Sequence, residues 1–298
     1  MTSPIGGYTF LPWLRTGVAN RIATSDGDAS VQFRATIDVQ LDIVGQKEDG
    51  SEFSEPIGRS VPLVGPGDIV GIDPRAIVRT DPRPWITNFE SSHLAAIEFY
   101  DEDFPWRYTP AAPDTTRHRL RPWVSLVVLA EGEFTEERAV ASRPLPAIRV
   151  PNAAVLPPMD ELWAWAHVHV MRPLVPGSVV PSDTGTVLAS LGATLRENAD
   201  LACSRLLCPR RLSPDTGYHA FLVPSFERGR LAGLSADPDV APHATIGAWE
   251  AYTGRPEPDR YPVYFRWYFR TGEIGDFEYL VRLLQPRPVD ARVGTRDI

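Results

Sequence analysis

Lysine, cysteine and long apolar runs are scarce in this chain of 298 residues. Only Lys47 is lysine, so arginine carries nearly all of the positive charge. Cys203 and Cys208 form neither a CxxC pair nor a disulfide framework, which predicts buried thiols in a reducing compartment. No apolar run reaches the roughly eighteen residues that span a bilayer, and the first residues lack the basic segment of a secretory signal. These absences predict cytoplasmic synthesis and assembly, without direct membrane insertion.

Common catalytic signatures are missing as well. The chain has no GxSxG, P-loop, GxGxxG or HExxH sequence, which lowers the expectation of an enzyme. The formal net charge of -8 argues against a sequence-independent nucleic-acid binder, because such a protein needs a concentrated basic face to neutralise phosphates. We therefore expect no catalysis, no cofactor and no nucleic-acid partner.

Proline, in contrast, is abundant, with 30 residues. This is about twice its usual share of roughly 5%. Trp85, Trp106 and Trp123 each stand next to a proline. Proline fixes φ and removes a backbone donor, so such segments are extended, lose little entropy on ordering and present large side chains. The block from 65 to 129 therefore predicts a rigid scaffold suited to permanent contacts.

Three segments of this block resemble a known family. They are GPGDIVGIDPRAIVRTDPR at 65–83, FYDEDFPWRYTPA at 99–111 and RLRPWVSLVVL at 119–129. With them, roughly residues 5 to 130 resemble components of phage-tail-like contractile injection systems, and most of all the cap adaptor. That component joins the terminal cap to the inner tube and sheath.

The resemblance implies a structural, non-catalytic role. Its implied partners are the cap, inner tube and sheath proteins, and its implied state is a sixfold ring with head-to-tail contacts. A baseplate or cage component of the same machine is the alternative. Because the proteins it resembles are longer, a continuation of the native chain beyond residue 298 is left open.

The clearest structural pattern lies at residues 31–44, where apolar and polar side chains alternate and predict a long, half-exposed strand. Asp49-Gly50 predicts a hairpin turn, with a returning strand over residues 55–65. The edge of such a strand can accept a strand from a neighbour. We also predict a short helix at 91–99 and a buried strand at 121–129.

Prolines crowd the interval 138–158 and predict a boundary there. The predicted organisation is an N-terminal β-rich domain over 1–137 with the Pro/Trp block, a Pro-rich linker over 138–158, and a second β-rich α+β region over 159–298. Within the second region we predict strands at 162–171, 219–226 and 261–270, helices over 184–207, and a last helix at 276–284.

The whole pattern predicts a β-rich α+β protein of antiparallel sheets, either a sandwich or a partly open barrel. A few short helices and many Pro-rich extended loops complete it. A carbohydrate-binding β-sandwich is the alternative function of a different class, because the aromatic strand over 261–269 is able to form a stacking platform for sugars.

Two clusters are candidates for chemistry. His167 and His169 lie on one face of a predicted strand, but a metal site needs more ligands and nothing in the sequence brings a third to them. The other interpretation is a stacking face shared with Trp163 and Trp165, and no metal is predicted. The acidic run 101–103 lacks the spacing of a calcium loop and predicts either a salt-bridged corner that faces an interface or a plain solvated cluster.

The interface prediction covers seven residues as contact or framework positions. Replacing one of them, Trp106, by alanine is expected to weaken assembly and to leave solubility intact. The seven residues are Trp13, Trp85, Asp101, Asp103, Trp106, Arg107 and Trp123.

Overall fold

The computed structural model describes residues 7–15, 17–31, 33–175, 184–273, 281 and 283–285. The first strands are β1 (Thr9–Leu11), β2 (Thr36–Gln46), β3 (Glu52–Pro62), β4 (Ile77–Asp81), β5 (Ala96–Phe99), β6 (Val124–Ala130), β7 (Thr135–Glu137) and β8 (Ala147–Arg149). They are followed by β9 (Ala166–Val170), α1 (Thr184–Glu197), β10 (Ala202–Leu207), β11 (Gly217–Pro224), α2 (Glu227–Gly233), β12 (Arg260–Pro262) and β13 (Phe265–Arg270).

The strands form open antiparallel sheets, which confirms the β-rich α+β prediction and gives no closed barrel. The largest sheet has five strands in the order β1-β9-β10-β5-β4. Two three-stranded sheets have the orders β13-β11-β6 and β12-β8-β7, and β2 pairs with β3 as a separate hairpin.

The sheet β13-β11-β6 is covered on both faces. Leu126 and Val128 face the large core that includes the five-stranded sheet. Val127 and Leu129 face a second core, with Ile148 of β8 and side chains near β12. Burial on both faces explains why the predicted strand at 121–129 is almost continuously apolar.

The sheets run across the predicted boundary. In the five-stranded sheet β1, β4 and β5 pair with β9 and β10, and in the next sheet β6 pairs with β11. The predicted linker, 138–158, contains β8, which pairs with both β7 and β12. This interval is therefore part of the folded body, and its prolines mark turns between paired segments.

Several predicted elements differ from the structure. The predicted helix at 91–99 is a turn followed by β5, and the predicted helices over 184–207 are α1 and then the strand β10. The predicted strand at 162–171 is a 3-10 segment, Met159–Trp165, followed by β9. β10 is a strand because it pairs with β9 on one side and β5 on the other. The predicted last helix falls largely outside the described residues.

The predicted hairpin is confirmed. β2 and β3 pair in one unbroken register from Thr36 opposite Pro62 to Gln46 opposite Glu52. At the turn, the Asp49 carboxylate accepts hydrogen bonds from the Ser51 N–H at 2.9 Å and from its hydroxyl at 2.6 Å. Gly50 has φ +84°, the left-handed conformation that glycine adopts without strain.

Candidate functional site

The β2–β3 hairpin, residues 36–62, is here called the arm. It has one mainly apolar face, on which Glu55 and Arg59 are the charged exceptions, and one mainly polar face. Directly opposed residues of an antiparallel pair share a face. The pairs Ile37–Val61 and Leu41–Ile57 therefore lie on the same side. Ile43 and Phe53 fall on that side as well. The opposite side carries mainly polar residues, among them Asp38, Gln40, Asp42, Ser54 and Ser60.

Among the arm residues that the structure describes, only those at the base of the arm pack on the body. Ile37 is buried in a small cluster with Ile22 and Ala35, and Val39 lies against it. Farther out the apolar face meets solvent, and every residue of β3 is exposed. The exposed fractions are 64% for Leu41, 49% for Ile43, 38% for Phe53 and 39% for Ile57.

This outer half of the arm is an unpartnered apolar sheet face. A two-stranded hairpin is marginally stable alone in water, and contiguous apolar patches on a protein surface mark interaction sites. Within the described residues, β2 and β3 pair only with each other, so each strand also has a free edge. Proline removes a backbone donor from β3 at Pro56, whereas β2 contains no proline.

The acidic run 101–103 is a salt-bridged corner rather than a plain solvated cluster. Arg107 donates to the Asp101 carboxylate at 2.8 Å and to the Asp103 carboxylate at 2.5 Å. Burial raises the pKa of Glu102, with smaller contributions from its two acidic neighbours. The corner therefore holds its charges in an internal cluster and leaves Arg107 with two carboxylate partners.

Trp106 and Trp123 lie in the core, at 0% and 1% exposure. The Trp106 indole donates to the Leu120 carbonyl at 2.9 Å, and the Trp123 indole donates to the Phe104 carbonyl at 2.7 Å. Their burial leaves neither ring free to contact another protein. Of the two roles predicted for these residues, the geometry matches the framework role.

Trp13 and Trp85 differ from this pair. Trp13 is half-buried against the large core. Trp85 is 76% exposed, and its ring lies 5.3 Å from that of Tyr268. The Trp85 N–H donates to the Tyr268 carbonyl at 2.7 Å, which holds the residue at φ +68°. Among the four predicted tryptophans, Trp85 presents the most surface to a partner.

His167 and His169 share the outer face of the five-stranded sheet with Phe10. The Phe10 ring lies 5.1 Å from the His167 ring and 4.9 Å from the His169 ring. On the same face, Glu98 accepts hydrogen bonds from Arg205 at 2.8 Å and from Arg79 at 3.0 Å. Trp163 and Trp165, predicted to share this face, belong instead to the 3-10 segment before β9.

The charges on this face shift several pKa values. Burial, and then the Arg205 guanidinium, lower the pKa of His167 to about 4 and lower that of His169 as well. Burial also raises the pKa of Glu98, but hydrogen bonds from Arg79 and Arg205 outweigh it and leave that pKa below its ordinary value. The face therefore carries neutral imidazoles beside a paired carboxylate.

We expect the depressed pKa of His167 to make folding stability pH-dependent. The unfolded chain protonates His167 near its ordinary value of 6.5, whereas the folded chain does so near 4. Between these values the unfolded state binds more protons, so stability is fully present above pH 6.5 and falls as the pH drops towards 4. The loss is about 2 kcal/mol after allowance for the partly exposed ring.

Urea unfolding at a series of pH values measures this loss. His167→Gln should flatten the profile in that window relative to wild type, while His93→Gln, an exposed ring on another loop, serves as the matched control. Parallel profiles for wild type and His167→Gln would contradict the assignment.

Two other predicted sites are also located. Tyr261, Trp267 and Phe269 of the aromatic segment are buried in the cores, so they are unavailable as a sugar-stacking platform.

The two cysteines are free and buried, as predicted. Across the described parts of the chain, no three histidine, cysteine or acidic side chains are placed to hold a metal ion.

The sequence interpretation missed the exposed outer half of the arm. The alternation in 31–44 predicted a half-exposed strand of a sandwich, with its apolar side covered by the core. The signal that distinguishes an arm lies in the turn, where Lys47, Glu48, Asp49 and Glu52 cluster at the end of both strands. Burying such a cluster of charged side chains against a core costs free energy, whereas strands that project into solvent leave it hydrated.

The described helices include none with the length and hydropathy needed to cross a membrane. Comparisons of the whole chain with protein-family models, with curated proteins and with solved structures gave no match.

Proposed function

We propose that this chain is a structural, non-catalytic component of a contractile injection system, most like the cap adaptor that joins the cap to the inner tube and sheath. The resemblance in 65–83, 99–111 and 119–129 supports the choice of this machine. The observation that carries an assembly role is the arm, with its apolar face uncovered from Leu41 outward.

The occupant of that face, in this proposal, is the next copy of the chain in a ring. An arm joined to its own body only at its base is able to reach across a subunit boundary, and head-to-tail contacts close into rings. Burying the apolar side chains supplies roughly 25 cal/mol per Å² of apolar surface removed from water. The cap, inner tube and sheath proteins are then the partners of the assembled ring.

The location of the protein in particles tests the proposal. A tagged chain is recovered from its native cells, its partners are identified by mass spectrometry, and the label is located by negative-stain imaging. Recovery of tube, sheath and cap proteins with label at the blunt end supports the cap adaptor. Label at the spike end replaces that assignment with a baseplate or cage component, and recovery of no injection-system protein overturns the proposal.

Polar substitutions on the arm's apolar face are expected to abolish this recovery. Leu41→Ser with Ile57→Ser removes an exposed cross-strand pair, so the free energy of unfolding should change by less than about 1 kcal/mol. Recovery of partners should fall at least about tenfold, because the apolar contact is lost. Quantitative mass spectrometry of matched pull-downs measures the change.

The control is a pair of substitutions on the other face of the same arm. Gln40→Ser with Ser54→Ala alters polar positions and should leave recovery at the wild-type level. Equal losses from both pairs would show that the apolar face is not what binds.

A further inference from the structure

A cleft of about 520 Å³ lies beside the loop 112–121 and the 3-10 segment Met159–Trp165. Its lining carries three arginines, of which two, Arg117 and Arg119, lie on the loop away from Asp26, and also three carboxylates, Asp26, Asp114 and Asp160. The residues that matter for its chemistry are Asp26, Asp114, Arg117, Arg119, Asp160 and Trp163.

Arg121 also lines this cleft but has a structural role. It is 6% exposed, its guanidinium lies 4.4 Å from the centre of the Phe226 ring, and it donates to the Asp26 carboxylate at 2.5 Å and to the Thr245 carbonyl. Its charge is thus held by groups of the same chain.

Arg119 and Arg117 have no comparable partners. The Arg119 guanidinium stacks at 4.1 Å from the Trp163 ring centre, and no carboxylate of the described residues pairs with it. Stacking uses the flat face of a guanidinium and leaves its in-plane N–H donors open. Arg117 reaches Asp114 only at 4.0 Å, and that carboxylate already accepts hydrogen bonds within its own turn. Two sets of donors therefore face the cleft, arranged for carboxylates.

The tip of the arm is acidic and supplies the carboxylates that the Arg117 and Arg119 donors lack. Residues 36–62 contain six carboxylates and two basic side chains, a net charge of -4. Asp49 is used inside the turn. Glu48 and Glu52 make no ion pair with any described residue, and both are exposed. The tip therefore presents two free carboxylates on a short, turn-stabilised loop.

The tip and the cleft do not meet within one chain. β2 rises about 3.3 Å per residue, so Glu48 lies roughly 20 Å beyond Leu41, where contact with the body has already ended. With β2 and β3 paired in one continuous register, the arm has no break at which it folds back. A protein surface that binds the tip therefore belongs to another molecule.

We propose that the acidic tip of the arm of one copy binds in the arginine cleft of the next copy, with Glu48 and Glu52 on Arg117 and Arg119. This inference rests on the proposed ring function and names the surface that receives the arm. One tip and one cleft on each copy give head-to-tail contacts, which form a ring when the rotation closes. The apolar face of the arm then packs on the surface bordering the cleft.

Complementation between two variants tests the contact. Glu48→Arg with Glu52→Arg leaves a normal cleft and a reversed tip, whereas Arg117→Glu with Arg119→Glu leaves a normal tip and a reversed cleft. Analytical ultracentrifugation of each purified full-length variant should show self-association at least about tenfold weaker than wild type. Mixing the two should restore association, because reversed tips meet reversed clefts and normal tips meet normal clefts.

The matched control is Arg138→Glu with Arg211→Glu, which makes the same charge change at two exposed arginines outside the cleft. It should associate like wild type. As a second measurement, Glu48→Cys chains mixed with Arg117→Cys chains should form a disulfide-linked heterodimer on mild oxidation, since both native cysteines are buried.

Monomeric wild type at high micromolar concentration, no recovery on mixing, or wild-type association by the cleft variant would each overturn the inference. Failure here is distinguishable from failure of the proposed function. If the cleft is wrong and the machine is right, the Arg117→Glu, Arg119→Glu chain still recovers tube, sheath and cap proteins, while Leu41→Ser with Ile57→Ser does not.

Discussion

Replacing Arg230 by leucine is expected to lower the free energy of unfolding by about 3–5 kcal/mol. Arg230 and Glu227 are both completely buried in α2 and form a two-pronged ion pair with both donor–acceptor distances at 2.6 Å. The remaining donors of Arg230 reach the carbonyls of Pro256, Glu257 and Arg260 at 2.8 to 2.9 Å.

The size of the effect follows from what the substitution leaves behind. All five N–H donors of the guanidinium have acceptors, so leucine removes a donor from three carbonyls and both short hydrogen bonds from the buried Glu227 carboxylate. Arg255, at 3.6 Å, is then the nearest cation to that carboxylate among the described residues. The hydroxyl of Tyr252 donates to Glu227 at 2.8 Å and is too weak a partner to neutralise it. Burial and this hydrogen bond raise the pKa of Tyr252 to about 12, which keeps the phenol protonated as a donor.

Urea unfolding followed by circular dichroism measures the loss. Arg75→Leu is the control, because that arginine is 91% exposed in its ion pair and should cost less than about 1 kcal/mol. The double variant Glu227→Leu, Arg230→Leu should recover part of the loss, since the buried Glu227 carboxylate is removed together with its main partner. A loss below about 1 kcal/mol for Arg230→Leu alone would contradict the assignment of α2 and residues 256–260 as one ion-paired unit.

Local pattern was enough to predict some elements of the fold. The apolar run after Trp123 predicted β6, and the alternation with Asp49-Gly50 predicted the hairpin, because those signals are carried by the residues themselves. The hairpin strands pair as the pattern implied, whereas the pattern named no partner for β6, which pairs with β11.

The elements that differ depend on distant partners. β5 and β10 pair with each other, although more than a hundred residues separate Phe99 from Ser204. The spaced leucines around β10 are compatible with a helix, and cross-strand pairing overrides that preference. Sequence pattern also does not predict which tryptophan is buried. Trp85, Trp106 and Trp123 each follow a proline, but only Trp106 and Trp123 of these three are covered by other parts of the fold.

The corner at Arg107 was predictable because its carboxylates lie within six residues of it in the chain. The arginine cleft was not, because Trp163 meets Arg119 only through the tertiary fold. The exposed face of the arm depends on where the body ends, which alternation in one strand does not encode.

Trp106→Ala is expected to lower the free energy of unfolding by about 3–5 kcal/mol. The Trp106 ring is fully buried, and its indole N–H donates to the Leu120 carbonyl. The indole N–H of Trp123 donates to the carbonyl of Phe104, which precedes the Pro105-Trp106 pair. The backbone N–H of Trp123 also donates to the Pro105 carbonyl, at 2.8 Å. Alanine therefore leaves a large cavity and an unpaired carbonyl where the two Pro-Trp segments hold each other.

Two further variants separate the packing from the hydrogen bond. Trp106→Phe keeps most of the ring volume and loses the indole donor, so it should cost about 1–3 kcal/mol. Trp85→Ala removes a ring that is mostly exposed and should cost less than about 1 kcal/mol. Thermal unfolding of the three variants and wild type under identical conditions gives their order of stability.

The burial of Trp106 argues for a different outcome from the expectation that Trp106→Ala weakens assembly and leaves solubility intact. Because the ring holds the core together, its loss should appear first as a lower unfolding midpoint and reduced soluble yield, before any partner is added. Wild-type stability of Trp106→Ala would refute the framework role. If Trp106→Ala is destabilised, its loss of partners says nothing about an interface, so Trp85→Ala is the variant that tests contact with partner proteins. A loss of partner recovery by this stable variant would place Trp85 in an interface.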